Sequence, residues 1–394
     1  MVNLNLLTVF ISAITIILSS NSKCDAKCAF EAIFNFGDSN SDTGGFFAAF
    51  PPQPSPYGMT YFNKPVGRPS DGRLYLDFLA QALGLPFVSP YLQSIGSDYK
   101  HGANFATSAS TVLMPPESLF VSGTSPFYLT VQLNQMKQFK AKVEEFHSSG
   151  RHTNNLPQPD IFGKSLYTIY IGQNDFTSNL TSLGLQGVKQ YLPQVVSQIG
   201  NTIKQLYELG GRTFMVLNLA PIGCYPTFLV ELPHGNTTSD IDAYGCLIPY
   251  NNAVDEYNKM LRETLRQLRK ELVNANVVYF DSNSVLLDIF QHPKSHGMKY
   301  GTKACCGHGG GAYNFNPKVW CGYSNFINGE KITAKACNDP QNYVSWDGMH
   351  LTEAANKLLT NAVLNMNNNN GSSYLDPPSF SFHQFCDIRP ITDC

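Results

Sequence analysis

Four short stretches of the 394-residue chain combine residue types that acyl transfer requires. In "FNFGDSNSDTGG", residues 34–45, Ser39 sits between Asp38 and Asn40 directly behind an apolar run. A serine hydroxyl is a weak nucleophile until a base takes its proton and donors receive the oxyanion. The candidate base is His350 in "SWDGMHLTEAANK", three residues after Asp347. On a turn entering a helix, positions i and i+3 lie on one side. Asp347 can then orient one imidazole nitrogen while the other faces Ser39. Oxyanion donors have to come from elsewhere: the Ser39 backbone N–H, the Asn174 side chain in "IGQND", and loop amides around Ala109 in "HGANFATSAS". Each stretch has a plainer reading as well. Asp347 can be a helix-start acid, His350 a partly buried helix residue and Asn174 a turn former.

The elements that must position these residues follow from hydrophobic patterning. Apolar, β-rich runs at Ala32–Phe36, Leu166–Ile171, Thr213–Leu217 and Val277–Phe280, with a shorter one at Asn104–Ala106, predict strands. They show little alternation of apolar and polar residues, as expected of parallel strands covered on both faces. Between them lie helical stripes. Leu133, Met136, Val143 and Phe146 share one face, and Ile199, Ile203, Leu206 and Tyr207 another. Val254, Tyr257, Leu261, Leu265, Leu268 and Leu272 step by three and four throughout. The alternation predicts a three-layer α/β/α sandwich with a mostly parallel sheet. Open parallel sheets place their sites at the carboxyl ends of the strands, and both the Ser39 turn and "IGQND" follow such ends.

Composition narrows the partners. A formal net charge of −2 and the absence of a basic run argue against nucleic acid or an anionic membrane surface. "MVNLNLLTVFISAITIILSS" is too short for a comfortable membrane span and reads as a secretory signal, residues 1–22, although no Lys or Arg precedes its apolar core. Removal just before Lys23 keeps all ten cysteines. No pair has CxxC spacing, so they read as disulfides of an exported protein rather than a metal cage. Cys224 with Cys246, and pairings within Cys305, Cys306, Cys321 and Cys337, are the favoured bridges. Sequons at Asn179, Asn236 and Asn370 fit a glycosylated secreted chain. "NMNNNNGSSY" reads as a linker into a tail that Cys386 can tie down.

Taken in order, GDSNSDTGG, GANFA, GQND and DGMH resemble the block signature of the GDSL esterase/lipase family, the SGNH hydrolases. The likeness extends through "GRPSDGRLYLDFLA", "LNLAPIGCYP" and "KACCGHGGGAYNFN", features similar to the plant branch and to its secreted acetylesterases, such as the foxglove lanatoside type. The resemblance implies an SGNH, flavodoxin-like hydrolase domain over residues 28–365, with residues 366–394 as linker and tail. It makes Ser39 the nucleophile, His350 the base, Asp347 its partner, and Ser39, Ala109 and Asn174 the oxyanion hole. It implies no metal, no cofactor and no membrane anchor, and a small-molecule or glycan ester as substrate. The implied reaction is hydrolysis, with an acetylated glycoside as the leading substrate class. Acyl transfer on the same triad and cell-wall polysaccharide deacetylation are the alternatives. One block departs from the pattern: the family usually has Gly where Ala109 stands. An alanine amide serves there if the loop does not need a positive φ, and Gly102 or Ser110 can mark a different register.

Other motifs lead elsewhere. There is no G-x-S-x-G elbow. "CCGHGGG", with His308, lacks the strand-to-helix setting of a phosphate cradle, and a zinc site there competes with disulfides. Tyr57, Tyr61 and Tyr91 read as loop or core packing, with sugar stacking as the alternative.

Overall fold

The β-branched and aromatic run Ala32–Gly37 forms strand β1, every residue of it buried. Its phenylalanines, two residues apart and so on one face, pack into one aromatic cluster: Phe34 stacks on Phe162 at 5.5 Å and Phe36 on Phe105 at 5.2 Å. The computed structural model describes residues 28–115, 124–151, 154–232, 240–365 and 373–391. Strands β2 (Gly102–Asn104), β3 (Ser165–Tyr170), β4 (Thr213–Leu217), β5 (Asn276–Phe280) and β10 (Leu375–Asp376) complete a six-stranded sheet in the order β10-β5-β4-β3-β1-β2. All pairs are parallel except β10 with β5. The smaller strands β6 (Tyr300–Ala304) and β9 (Tyr343–Ser345) pair with each other, as do β7 (Ser324–Ile327) and β8 (Glu330–Thr333).

Helices among the described residues are α1 (Gly45–Ala49), α2 (Tyr75–Ala82), α3 (Leu129–Ser148), α4 (Gln173–Thr177), α5 (Leu180–Glu208), α6 (Pro226–Glu231), α7 (Ile248–Glu271), α8 (Ser282–Gln291) and α9 (Glu353–Val363). Helix α5 packs on α3 and α7, while α9 packs on α2 and α8. The sheet is covered on both faces, which is the α/β/α arrangement the patterning implies. The stripe on α7 is buried from Val254 to Leu268. Phe146 and Tyr207, at the ends of their stripes, are only half-buried.

Two differences from the sequence reading stand out, the first with a local cause and the second with a long-range one. The second strand is Gly102–Asn104 rather than 104–106, because the Asn104 Oδ1 accepts the Ala106 N–H at 3.0 Å and turns the chain out of register. The tail beyond the Asn-rich stretch adds β10 to the edge of the sheet, and a disulfide joins Cys386 to Cys28. The other bridges are Cys224–Cys246, Cys305–Cys337 and Cys306–Cys321. Cys24 and Cys394 lie outside the described residues. No described helix is long and apolar enough to cross a membrane.

The strand order has a functional consequence. The chain leaves β1 toward β2 on one side and returns to β3 on the other. The crevice at the carboxyl ends of β1 and β3 is therefore the switch point of a doubly wound sheet, where ligands bind. Ser39 follows β1 and Asn174 follows β3.

Candidate active site

The turn after β1 is built backbone first. Gly37 N–H donates to Gln132 Oε1 at 2.9 Å, and Gln132 Nε2 returns a bond to the Gly37 carbonyl at 2.8 Å. A Cβ at position 37 would lie 2.4 Å from Ser41 Oγ and 2.5 Å from the Tyr170 carbonyl, so only glycine fits. Beyond it the Asn40 backbone and side-chain N–H groups both donate to Asp38 Oδ1 at 2.9 Å, closing a tight loop around Ser39. Ser39 is 7% exposed. Asp38 Oδ2 is buried with no hydrogen-bond partner among the described residues. Burial pushes the Asp38 carboxyl up to about 6, against the Asn40 bonds and the charge of His350.

Asp347 and His350 lie on the turn between β9 and α9, ahead of the helix rather than on it. Asp347 Oδ1 accepts the backbone N–H groups of Met349 at 3.1 Å and His350 at 3.0 Å. Its Oδ2 lies 2.7 Å from His350 Nδ1. Burial alone would raise the Asp347 carboxyl. The imidazolium of His350, its hydrogen bond and those from Met349 and Tyr57 more than offset this and hold it below the usual carboxylate value. Burial likewise opposes the charged imidazole, but Asp347, and more weakly Asp38, lift His350 above its ordinary value. An ionised Asp347 requires the proton on Nδ1, which leaves the Nε2 lone pair free to accept one.

The remaining stretches converge on the same turn. Asp42 takes five donors, among them Gly45 N–H at 2.6 Å, Ser108 N–H at 2.7 Å and Ser108 Oγ at 2.9 Å, and so pins the loop 107–110 to the Ser39 turn. Asn174 Nδ2 donates to the Ser110 carbonyl at 2.9 Å. Its neighbour Asp175, buried and pushed up to about 7 by that burial, accepts Val112 N–H at 2.7 Å and Leu113 N–H at 3.0 Å. Asn40 Nδ2 reaches Gln173 Oε1 at 3.5 Å. Contacts thus link the first three stretches, and His350 is close enough for its charge to act on Asp38. Ala109 adopts φ of +62°, a left-handed conformation that favours glycine, so the loop does need the geometry of the residue it replaces. Its N–H remains a backbone donor, and its carbonyl is fixed by the Ser125 N–H at 2.8 Å.

The other sequence candidates sit as follows. Asn179 is half-buried ahead of α5, its Nδ2 donating to Tyr191 Oη at 2.9 Å. Asn236 and Asn370 lie outside the described residues. Tyr61 packs on the Arg73 guanidinium and Tyr91 on Phe105. His308 lines an open polar cleft with Lys331 and Lys335. Among the described residues, no group of three or more His, Cys, Asp or Glu is placed to hold a metal ion. Sequence reasoning passed over Gln132, Asp42 and the polar role of Tyr57. Gln132 and Tyr57 act at separations of 95 and 290 residues, where local spacing carries no signal. Asp42, by contrast, lies inside the first stretch and stands two residues before Gly44, a capping spacing that could have been read.

The family described as GDSL-like lipase/acylhydrolase matches residues 33–363. Over 350 residues the chain is 64% identical to a GDSL esterase/lipase of Arabidopsis thaliana, spanning 89% of this chain and 91% of the relative. An esterase of Hevea brasiliensis is 42% identical over 89% of this chain and 88% of its own length. An Arabidopsis thaliana protein named alpha-L-fucosidase 3 is also 42% identical, over 86% of this chain and 91% of its own length.

Proposed function

The chain belongs to the GDSL-like lipase/acylhydrolase family and is a carboxylic ester hydrolase; from that premise we propose that Ser39, His350 and Asp347 carry the reaction and that the substrate is an acetylated glycoside outside the cell. The observation that carries the reading is the 2.7 Å contact of His350 Nδ1 with a buried, ionised Asp347 on the loop beside the Ser39 turn. Ser39 Oγ attacks the ester carbonyl while His350 Nε2 takes its proton. The negative oxygen is received by the Ser39 and Ala109 N–H groups and by the Asn174 Nδ2 hydrogen that Ser110 leaves free. The carbon–oxygen bond to the alcohol then breaks, and the imidazolium protonates the departing oxygen. Water, deprotonated by the same Nε2, attacks the acyl-serine and releases the acid. No step requires a metal or organic cofactor.

Two features favour a short acyl group. Small residues, Ala106 to Ser110, line the loop opposite Ser39. Half-buried Phe46, Phe47 and Phe50 form a contiguous cluster on the nucleophile's side, and Phe50 meets Phe127 at 6.4 Å. Rigid rings there restrict chain length, although each misfitting methylene discriminates by only about 1–3 kcal/mol. Four disulfides support an oxidising compartment. The leader and the glycans are read by N-terminal sequencing and deglycosylation of secreted protein.

The test is Ser39→Ala, which should keep the fold while losing ester hydrolysis by several orders of magnitude and all fluorophosphonate labelling. Labelling that persists would move the nucleophile elsewhere. Acetate, butyrate and palmitate esters of one glycosidic alcohol, with an aryl α-L-fucoside alongside because of the relative's name, read specificity. A higher kcat/KM for palmitate, or cleavage of the fucoside alone, would overturn the acetyl assignment.

A further inference from the structure

Asp347 has a third partner beyond the histidine and its own loop. Tyr57 Oη donates to Asp347 Oδ2 at 2.9 Å across 290 residues of sequence. An ionised carboxylate offers about four lone-pair positions. Met349 N–H and His350 N–H occupy Oδ1, while His350 Nδ1 and Tyr57 Oη occupy Oδ2. The carboxylate is saturated, and among the described residues Tyr57 is the one donor that reaches it from outside its own turn.

The segment carrying Tyr57 is strapped to both sides of that turn. Before it, the Tyr57 ring meets Trp346 edge-on at 6.0 Å and packs against the buried cluster of Cys305, Cys306, Cys321, Tyr343 and Trp346. After it, Gly58 N–H bonds the Ser70 carbonyl at 2.9 Å, and Thr60 Oγ1 bonds Asp71 Oδ2 at 2.6 Å. Asp71 Oδ1 in turn accepts the Glu353 N–H at 2.7 Å, at the start of α9. The hydroxyl is therefore delivered by a framed backbone, not by a free loop.

We propose that Tyr57 is a positioning residue for the ester hydrolysis, its hydroxyl holding Asp347 Oδ2 on the His350 Nδ1 proton as the imidazolium forms and discharges. The proposal rests on the assignment of Asp347 and His350 made above. The ionisable groups facing the pair are Asp38 from the turn after β1, Tyr225 ahead of α6, and Tyr57 itself, with Tyr323 beyond it. Burial, together with the Asp347 charge, pushes the Tyr57 phenol far above its ordinary value, so it stays a donor at every working pH. Its bond draws charge away from the Asp347–His350 contact. Removing it concentrates that charge on the imidazolium, so the His350 pKa rises further while the carboxylate loses a restraint.

Tyr57→Phe keeps the ring and its edge contact with Trp346. The expected result is a fall in kcat of about tenfold with KM unchanged, and an acid limb of kcat/KM moved up by a few tenths of a pH unit. In an Asp347→Asn background the same change should have little further effect, because the two residues act as a unit. A wild-type kcat and acid limb in Tyr57→Phe would overturn the proposal. So would an equal proportional loss in both backgrounds with the limb unmoved, which is the signature of a purely structural role. Labelling of Ser39 in the wild type and its loss in Ser39→Ala test the underlying triad separately.

Discussion

Asn174 carries two amide hydrogens, and one is committed to the Ser110 carbonyl at 2.9 Å. That bond ties the direction of the other to the loop that carries Ala109, and in the proposed reaction the other receives the oxyanion. Asn174→Ala should lower kcat by about 10²–10³ with little change in KM, because an oxyanion donor acts only once charge develops. Steady-state kinetics with a fast acetate ester check this, and a change confined to KM would make Asn174 a substrate-binding residue instead. Ala109 beside it carries a backbone cost. A non-glycine residue at φ of +62° pays of order 1–2 kcal/mol in sterics, tolerated because Ser125 N–H, the Asp42 bonds to Ser108 and the Asp175 bonds to 112–113 hold both flanks of the loop.

The element that buttresses the histidine loop is the disulfide-rich segment between β6 and β9. Cys305 N–H donates to the Ser345 carbonyl at 3.0 Å and Cys306 N–H to the Trp346 carbonyl at 2.6 Å, immediately before Asp347. Two bridges, closing 32 and 15 residues, hold this segment folded. In the chain-entropy account, loops of those lengths are worth about 4 and about 3 kcal/mol. Because Cys305 and Cys306 bond the backbone immediately before the Asp347 turn, opening their bridges should disorder the Asp347–His350 pair before the main sheet, which the two bridges do not cross. Stepwise reduction should therefore abolish ester hydrolysis while far-UV circular dichroism remains near native. Activity that survives full reduction of both bridges would count against this coupling.

At the scale of the whole molecule, buried ionisable groups set opposing pH demands. Burial raises Asp38 to about 6 and Asp175 to about 7, and His350 also lies above its ordinary value because Asp347 outweighs its burial. Each of these contributes stability that is present below its unfolded pKa, near 4 for the carboxyls and about 6.5 for histidine, and lost as pH rises through the folded value. Asp347 and Asp376 lie below the carboxylate norm, and their contribution is lost only as pH falls below about 4. Between these limits the raised groups dominate. Melting temperature should be several degrees higher at pH 5 than at pH 8, and Asp175→Asn should flatten the slope. A melting temperature that climbs toward pH 8 would contradict it. In the proposed mechanism activity runs the other way, since His350 would have to be neutral to accept the serine proton, so the acid limb of kcat/KM should fall above the ordinary histidine value.

The sequence by itself determined the parts whose cause is local. Strand positions β1, β3, β4 and β5 follow from short apolar runs, the α7 face from its spacing, and the Asp347–His350 contact from three residues on one turn. Alternation gave a parallel sheet covered by helices, and the resemblance of the four blocks made it an open three-layer sandwich rather than a closed barrel. The Cys224–Cys246 bridge was legible as a pair, whereas partners within Cys305, Cys306, Cys321 and Cys337 were legible only as a set. Cys305 pairs with Cys337 and Cys306 with Cys321 because adjacent cysteines point to opposite sides of an extended backbone, which spacing does not reveal until the partners' positions are known. Tertiary structure alone decided the rest: Tyr57 on Asp347, Gln132 on Gly37, β10 on the sheet edge and the left-handed Ala109. Each depends on groups brought together from 95 or more residues apart or on a backbone angle held by distant donors, and a one-dimensional pattern does not encode either.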